Sequence, residues 1–101
     1  MRSRLGFATA TIFQELARGT GFGLDIMRET GLPSGTVYPT LSRAETAGLV
    51  RGKWEARKAA DREARPRRRY YELTPAGRAA LEEAVARFRG IGLARRAGAK
   101  S

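Results

Sequence analysis

With 101 residues the chain has room for one modest hydrophobic core, because domains commonly run from about 50 to 200 residues. Hydrophobic residues make up 42% and charged residues 30%, which is globular composition and excludes wholesale disorder. There is no His and no Cys, so the usual zinc, haem and iron–sulfur ligands, the imidazole base, the thiol nucleophile and the disulfide are all missing. Twenty Lys and Arg against ten Asp and Glu leave a formal charge of +10, which makes a polyanion the expected partner.

No paired-carboxylate spacing and no glycine-rich phosphate loop occurs, so neither catalysis nor a cofactor or metal is expected. No apolar stretch approaches the roughly 18 residues of a membrane span, and Met1 to Thr20 lacks the apolar centre of a signal peptide. The expected location is the cytoplasm. The charge is uneven along the chain. Residues 1–50 carry five basic and four acidic side chains, residues 51–69 nine and three, and residues 70–101 six and three. The basic run RGKWEARKAADREARPRRR has weak hydrophobic periodicity and reads as a solvated connection.

In chain order the first element is a helix from Leu5 to Arg18, with Leu5, Ala8, Ile12 and Leu16 on one face and Phe13 widening it. A break at Arg18 to Gly21 precedes a shorter helix from Phe22 to Glu29, which buries Ile26 and Met27 and ends at Gly31. Ser34 is placed as the N-cap of a third helix, with Val37, Leu41 and Ala44 buried. On that helix Thr36, Thr40 and Arg43 fall at i, i+4 and i+7 and form a polar row towards water, with Tyr38 to one side. Pro39 is tolerable only because it lies close to the first turn.

After Gly48 the pattern becomes extended. Leu49 to Trp54 and Arg68 to Thr74 read as two strands of a hairpin joined by the basic run. Trp54 is expected to pack on the hairpin's inner face or the adjacent helix. Tyr70 and Tyr71 point to opposite faces, one buried and the other near the hairpin tip. Thr74-Pro75 opens a last helix whose Leu81, Val85 and Phe88 form an apolar stripe for a second subunit, and fraying is expected after Leu93.

Mainly α with a small β-hairpin, these parts are those of a winged helix-turn-helix: residues 1–74 as the DNA-binding domain, residues 75–101 as a dimerisation helix with a frayed basic tail. The third helix of such a fold enters the major groove, and the wing reaches phosphates or the minor groove. Candidate DNA contacts are Ser34, Thr36, Thr40 and Arg43, together with Arg67, Arg68 and Arg69, whose adjacent guanidinium groups repel one another without a polyanion nearby. Tyr38 either covers the edge of the core or reaches a phosphate. A small basic RNA-binding or ribosome-associated protein is the alternative reading.

Val37-Tyr38-Pro39-Thr40-Leu41, Glu45, Gly48-Leu49-Val50, Arg69 to Thr74, Gly77 and Leu81 together resemble the PadR family of bacterial transcriptional regulators. The resemblance runs from about Leu5 to Leu81. It implies a homodimeric winged-helix protein that binds double-stranded operator DNA, usually a repressor, whose last helix crosses to the partner subunit. In some members a small molecule releases the DNA. Members commonly carry a His-Gly-Tyr-Glu-Ile segment in the second helix, where this chain has Phe22-Gly23-Leu24-Asp25-Ile26, and the connection from Glu55 to Arg68 is long and rich in arginine.

Overall fold

The computed structural model of the protein describes residues 4–89. Its elements are α1 (Phe7–Ala17), α2 (Gly23–Thr30), α3 (Ser34–Thr46), β1 (Val50–Trp54), α4 (Arg57–Arg62), β2 (Arg69–Leu73) and α5 (Pro75–Arg87). The mainly helical architecture with one antiparallel hairpin agrees with the winged helix expected from the sequence. The expected fraying after Leu93 lies outside the described residues.

The helix α1 is the centre of the fold. One apolar face was expected, yet Ala10 to Leu16 are buried all round, because α2, α5 and β2 close on different sides of the helix. Ile12 and Phe13 are fully buried and meet Ile26 of α2, Val37 and Leu41 of α3, Val50 of β1, Leu73 of β2 and Leu81 and Ala84 of α5 in one cluster. At about 25 cal/mol per Å² of apolar surface removed from water, this cluster is the main favourable contribution to folding. Glu15, 1% exposed, is paired with Arg18 at 3.0 Å.

The turn between α2 and α3 is set by Gly31, whose φ of 75° lies in the left-handed region that closes a helix at low steric cost. The Gly31 N–H donates to the Met27 carbonyl at 2.8 Å. The cap of α3 differs from the expectation. Pro33 is the N-cap and Ser34 the first helical residue, with no side-chain cap; the backbone carbonyl of Pro33 accepts from the N–H groups of Thr36 and Val37 instead.

The hairpin pairs Val50 with Leu73, Gly52 with Tyr71 and Trp54 with Arg69. Alternation therefore puts these six residues on one side of the ribbon and Arg51, Lys53, Tyr70 and Glu72 on the other. Two strands alone are marginal. Here Val50 and Leu73 enter the core, and the segment before α2 adds a short edge, with the Tyr71 N–H donating to the Gly21 carbonyl at 2.9 Å and Phe22 bridging Tyr70. Tyr71 packs against the core while the Tyr70 ring lies 5.6 Å from that of Phe22, so the two tyrosines divide as their alternation requires.

Thr74 caps α5 by accepting from the Gly77 N–H at 3.1 Å, with Pro75 at the start of the helix. Its hydroxyl also donates to the Gly48 carbonyl at 2.7 Å. Gly77 has no room for a side chain, because a Cβ there would enter the Leu49 carbonyl. Leu81 is 7% exposed within its own subunit's core, and Phe88 meets the Phe7 ring edge-to-face at 5.3 Å. Val85 and Phe88 are half-buried and pack against the same core.

The basic run also departs from a solvated connection. It contains α4, and Glu55 and Arg65 brace it. Both Arg65 terminal nitrogens donate to Glu55, at 2.7 and 2.8 Å, and Arg65 Nε donates to Glu63 at 3.0 Å.

Candidate nucleic-acid interface

The exposed face of α3 follows from its buried one. Val37, Leu41 and Ala44 face the core, so water meets Ser34, Gly35, Tyr38, Pro39, Ser42, Arg43 and Thr46. The polar row expected at Thr36, Thr40 and Arg43 is corrected by this geometry. Thr40 is 4% exposed and Thr36 half-buried. Thr40 precedes Ala44 by four residues, which on a helix is nearly the same direction, so it is drawn into the apolar stripe. Its hydroxyl accepts from Arg43 at 3.3 Å and fixes that cation at the edge of the exposed face. The centre of that face is instead small: Gly35, Pro39 and Ser42. Pro39 lacks an N–H, and its place among exposed residues puts the missing bond where water can serve the freed carbonyl.

Tyr38 covers the edge of the core and still meets water. Its ring rests on Gly23 at the start of α2, where a Cβ would come within 2.7 Å of the phenol oxygen, and 41% of the residue stays exposed. Glycine at position 23 is required for that approach.

Glu45 was not singled out as a contact from sequence, and it joins α3 to the wing. One carboxylate oxygen accepts from the Gly52 N–H at 3.2 Å and from Arg69 at 2.8 Å. The Arg69 guanidinium occupies the space over Gly52 that any side chain there would need. Opposite charges at i and i+24 carry no periodic signal, so only the hairpin register reveals the pair.

The three adjacent arginines are separated by their partners. Arg67 Nε donates to the Glu55 carbonyl at 2.9 Å and its guanidinium lies 5.9 Å from the Trp54 ring centre. Arg68 stacks 4.3 Å over Phe22, and Arg69 lies 5.3 Å from Trp54 and 5.7 Å from Tyr71. Arg69 is therefore committed to Glu45 and the hairpin, whereas Arg67 is exposed and Arg68 half-exposed. Trp54 does not pack inward as expected. It is 58% exposed, because it lies at the strand end past the reach of the core. The hydrogen bonds from Arg65, helped by the Arg68 N–H, hold the Glu55 carboxyl well below the usual range, at about 2.

An open groove of about 1070 Å³ runs between α1, the end of α3 and the start of α5. Phe13 and Leu5 form its floor, and Ala44, Ala47, Ala79 and Ala80 leave it wide. Arg43 reaches it from α3.

A tight turn between α2 and α3, an exposed polar face on α3 and a cationic hairpin bonded to that helix define a winged helix-turn-helix of the DNA-binding class. The chain belongs to the transcriptional regulator PadR-like family, whose model matches residues 12–83. Solved structures agree. A PadR-like transcription factor from Bacteroides fragilis is 25% identical with a TM-score of 0.69, covering 90% of this chain and 88% of that one. A PadR family transcription regulator from hypervirulent Clostridium difficile is 26% identical with a TM-score of 0.64, covering 82% and 88%. A probable transcriptional regulator from Pseudomonas aeruginosa is 27% identical with a TM-score of 0.65, covering 96% and 67%. A comparison with curated protein sequences finds no match. The fold is that of a transcriptional regulator, which implies regulation through DNA. Among the described residues no helix is long and apolar enough to cross a membrane.

Proposed function

We propose that this chain is a cytoplasmic, sequence-selective repressor that grips double-stranded operator DNA as a homodimer, with α3 in the major groove and the wing on phosphates or the minor groove. The observation that carries this reading is the Glu45 link, which sets the exposed face of α3 and the basic wing in one rigid piece. Ser34, Ser42 and Arg43 are the base-edge and phosphate contacts of α3, with the half-buried Thr36 at the margin and the Tyr38 hydroxyl on a phosphate. Arg67 and Arg68 meet phosphates from the wing.

The alanine-lined groove is the dimer surface in this reading. Ala44 and Ala47 at the end of α3 and Ala76, Ala79 and Ala80 on α5 leave a trough that a second copy fills. Two recognition helices related by a two-fold axis then meet half-sites about 34 Å apart.

A competition experiment tests it. Labelled promoter duplex bound at physiological salt is challenged with its unlabelled copy, random duplex and structured RNA. Release by the specific copy at concentrations at least about a thousandfold below random duplex is expected. Equal release by all three defeats the regulator reading. Arg43→Ala narrows the gap between specific and random duplex, whereas Arg67→Ala weakens both alike.

A further inference from the structure

A threonine inside a helix commonly spends its hydroxyl on the carbonyl one turn back. Thr11 and Thr30 do so, donating to the carbonyls of Phe7 at 2.9 Å and Ile26 at 2.7 Å. Thr40 is used differently. It is 4% exposed, in the stripe that Val37, Leu41 and Ala44 turn to the core, and its oxygen accepts from an Arg43 terminal nitrogen at 3.3 Å. A buried hydroxyl thus meets a cation that stands in water.

The chemistry of that acceptor decides what the cation can still do. Between Glu45 and Arg69 a carboxylate lies 2.8 Å from the guanidinium and offsets its charge. A hydroxyl is neutral, so it fixes a direction and leaves the charge intact. Among the described residues Arg43 forms no ion pair and no second hydrogen bond. A guanidinium carries several N–H donors beyond the one committed to Thr40, and these stay open to a ligand. Pro39 and Ser42, exposed beside Arg43, carry no charge and little bulk. A fork of donors held in one direction fits two acceptors side by side. In the major groove guanine offers that pair, O6 and N7, whereas adenine and cytosine each place a donor there. Phosphate contact needs no such aim, because every nucleotide carries one.

We propose that Thr40 is a positioning residue that aims Arg43 at a guanine in each half-site, so that a side chain closed to the DNA sets part of the sequence preference. This rests on the DNA-binding reading above and names the base that α3 reads.

The test uses the full-length chain and the duplex it selects from a random-sequence pool, with binding followed by fluorescence anisotropy. Each guanine of a half-site is replaced in turn by 7-deazaguanine, which keeps base pairing and O6 but lacks the N7 acceptor. One guanine per half-site is expected to show a loss of about fivefold or more, and Arg43→Ala to remove that dependence. Thr40→Val keeps the shape of the buried side chain and removes the acceptor. It is expected to lower the preference for the selected duplex about fivefold, the worth of one hydrogen bond, with affinity for random duplex kept. Thr40→Ser restores the preference, and in an Arg43→Ala background Thr40→Val adds no further loss. Thr40→Ala, for which the same loss is expected, decides the matter where Thr40→Val does not fold. An unchanged preference in these variants, or an equal loss in the Arg43→Ala background, overturns the inference. So does a 7-deazaguanine series in which no loss depends on Arg43, and each of these outcomes leaves the DNA-binding reading standing. Failure of the unaltered chain to select any duplex overturns both.

Discussion

The helical body and the wing are held together by different physics. Around α1 the contacts are apolar and closed to water, with Ile12, Phe13, Ile26, Val37 and Leu41 fully buried. In the wing beyond Val50 and Leu73 they are charged or aromatic: Glu45 with Arg69, Glu55 with Arg65, Arg68 over Phe22. Apolar packing carries no charge for simple salt to screen, whereas partly exposed charge pairs are screened by it. The contacts of the body thereby persist at any ionic strength, whereas those of the wing respond to it.

The largest test of this contrast lies in the body. Phe13→Ala removes a fully buried ring and is expected to lower stability by about 3–5 kcal/mol, read as a lower midpoint in urea unfolding by circular dichroism. Salt is expected to leave that loss unchanged; a loss that vanished in high salt would erase the distinction between the regions.

A smaller effect is expected where the two regions meet. Glu45→Ala removes the shared carboxylate between Gly52 and Arg69. Because the pair is about a third exposed, the global cost is about 1 kcal/mol or less. Hydrogen exchange should show the rest: the Gly52 amide exchanges faster while that of Ile12 keeps its protection. Equal acceleration at both sites would mean that Glu45 supports the whole body.

The smallest effect is confined to the insertion. In the fold the Glu55 carboxyl titrates near 2, below its ordinary 4.5, so it is the ionised form that the fold favours. The stabilisation is complete above about pH 4.5 and is lost as the pH falls towards 2. Trp54 emission, followed by acid titration, is expected to change across that window, and Glu55→Gln to abolish the change. A titration identical in the variant would assign the acid transition to another group.

Most of the body was legible in the sequence because apolar spacing and helix punctuation report directly on burial. The spacing of Leu5, Ile12 and Leu16, the glycine at 31 and the Thr74-Pro75 start each have one local meaning, and the structure places all three accordingly. The wing strands were legible for the same reason. What escaped depends on distant partners or on neighbours along a helix. The insertion helix α4 buries only Ala60, too little for a periodic signal, and its brace from Glu55 to Arg65 spans ten residues. Trp54 misled because its type favours burial, while its place at the end of β1 exposes it. Thr40 misled because a polar residue beside an apolar stripe can be covered when its hydroxyl has a partner, which Arg43 supplies.

Thr74 touches the Gly48 carbonyl and the Gly77 amide at once, and its own amide reaches Leu49 at 3.1 Å. A single residue thus splices the exit of α3, both feet of the hairpin and the entry of α5. The start of α5 is therefore anchored at the point where both legs of the wing leave the body.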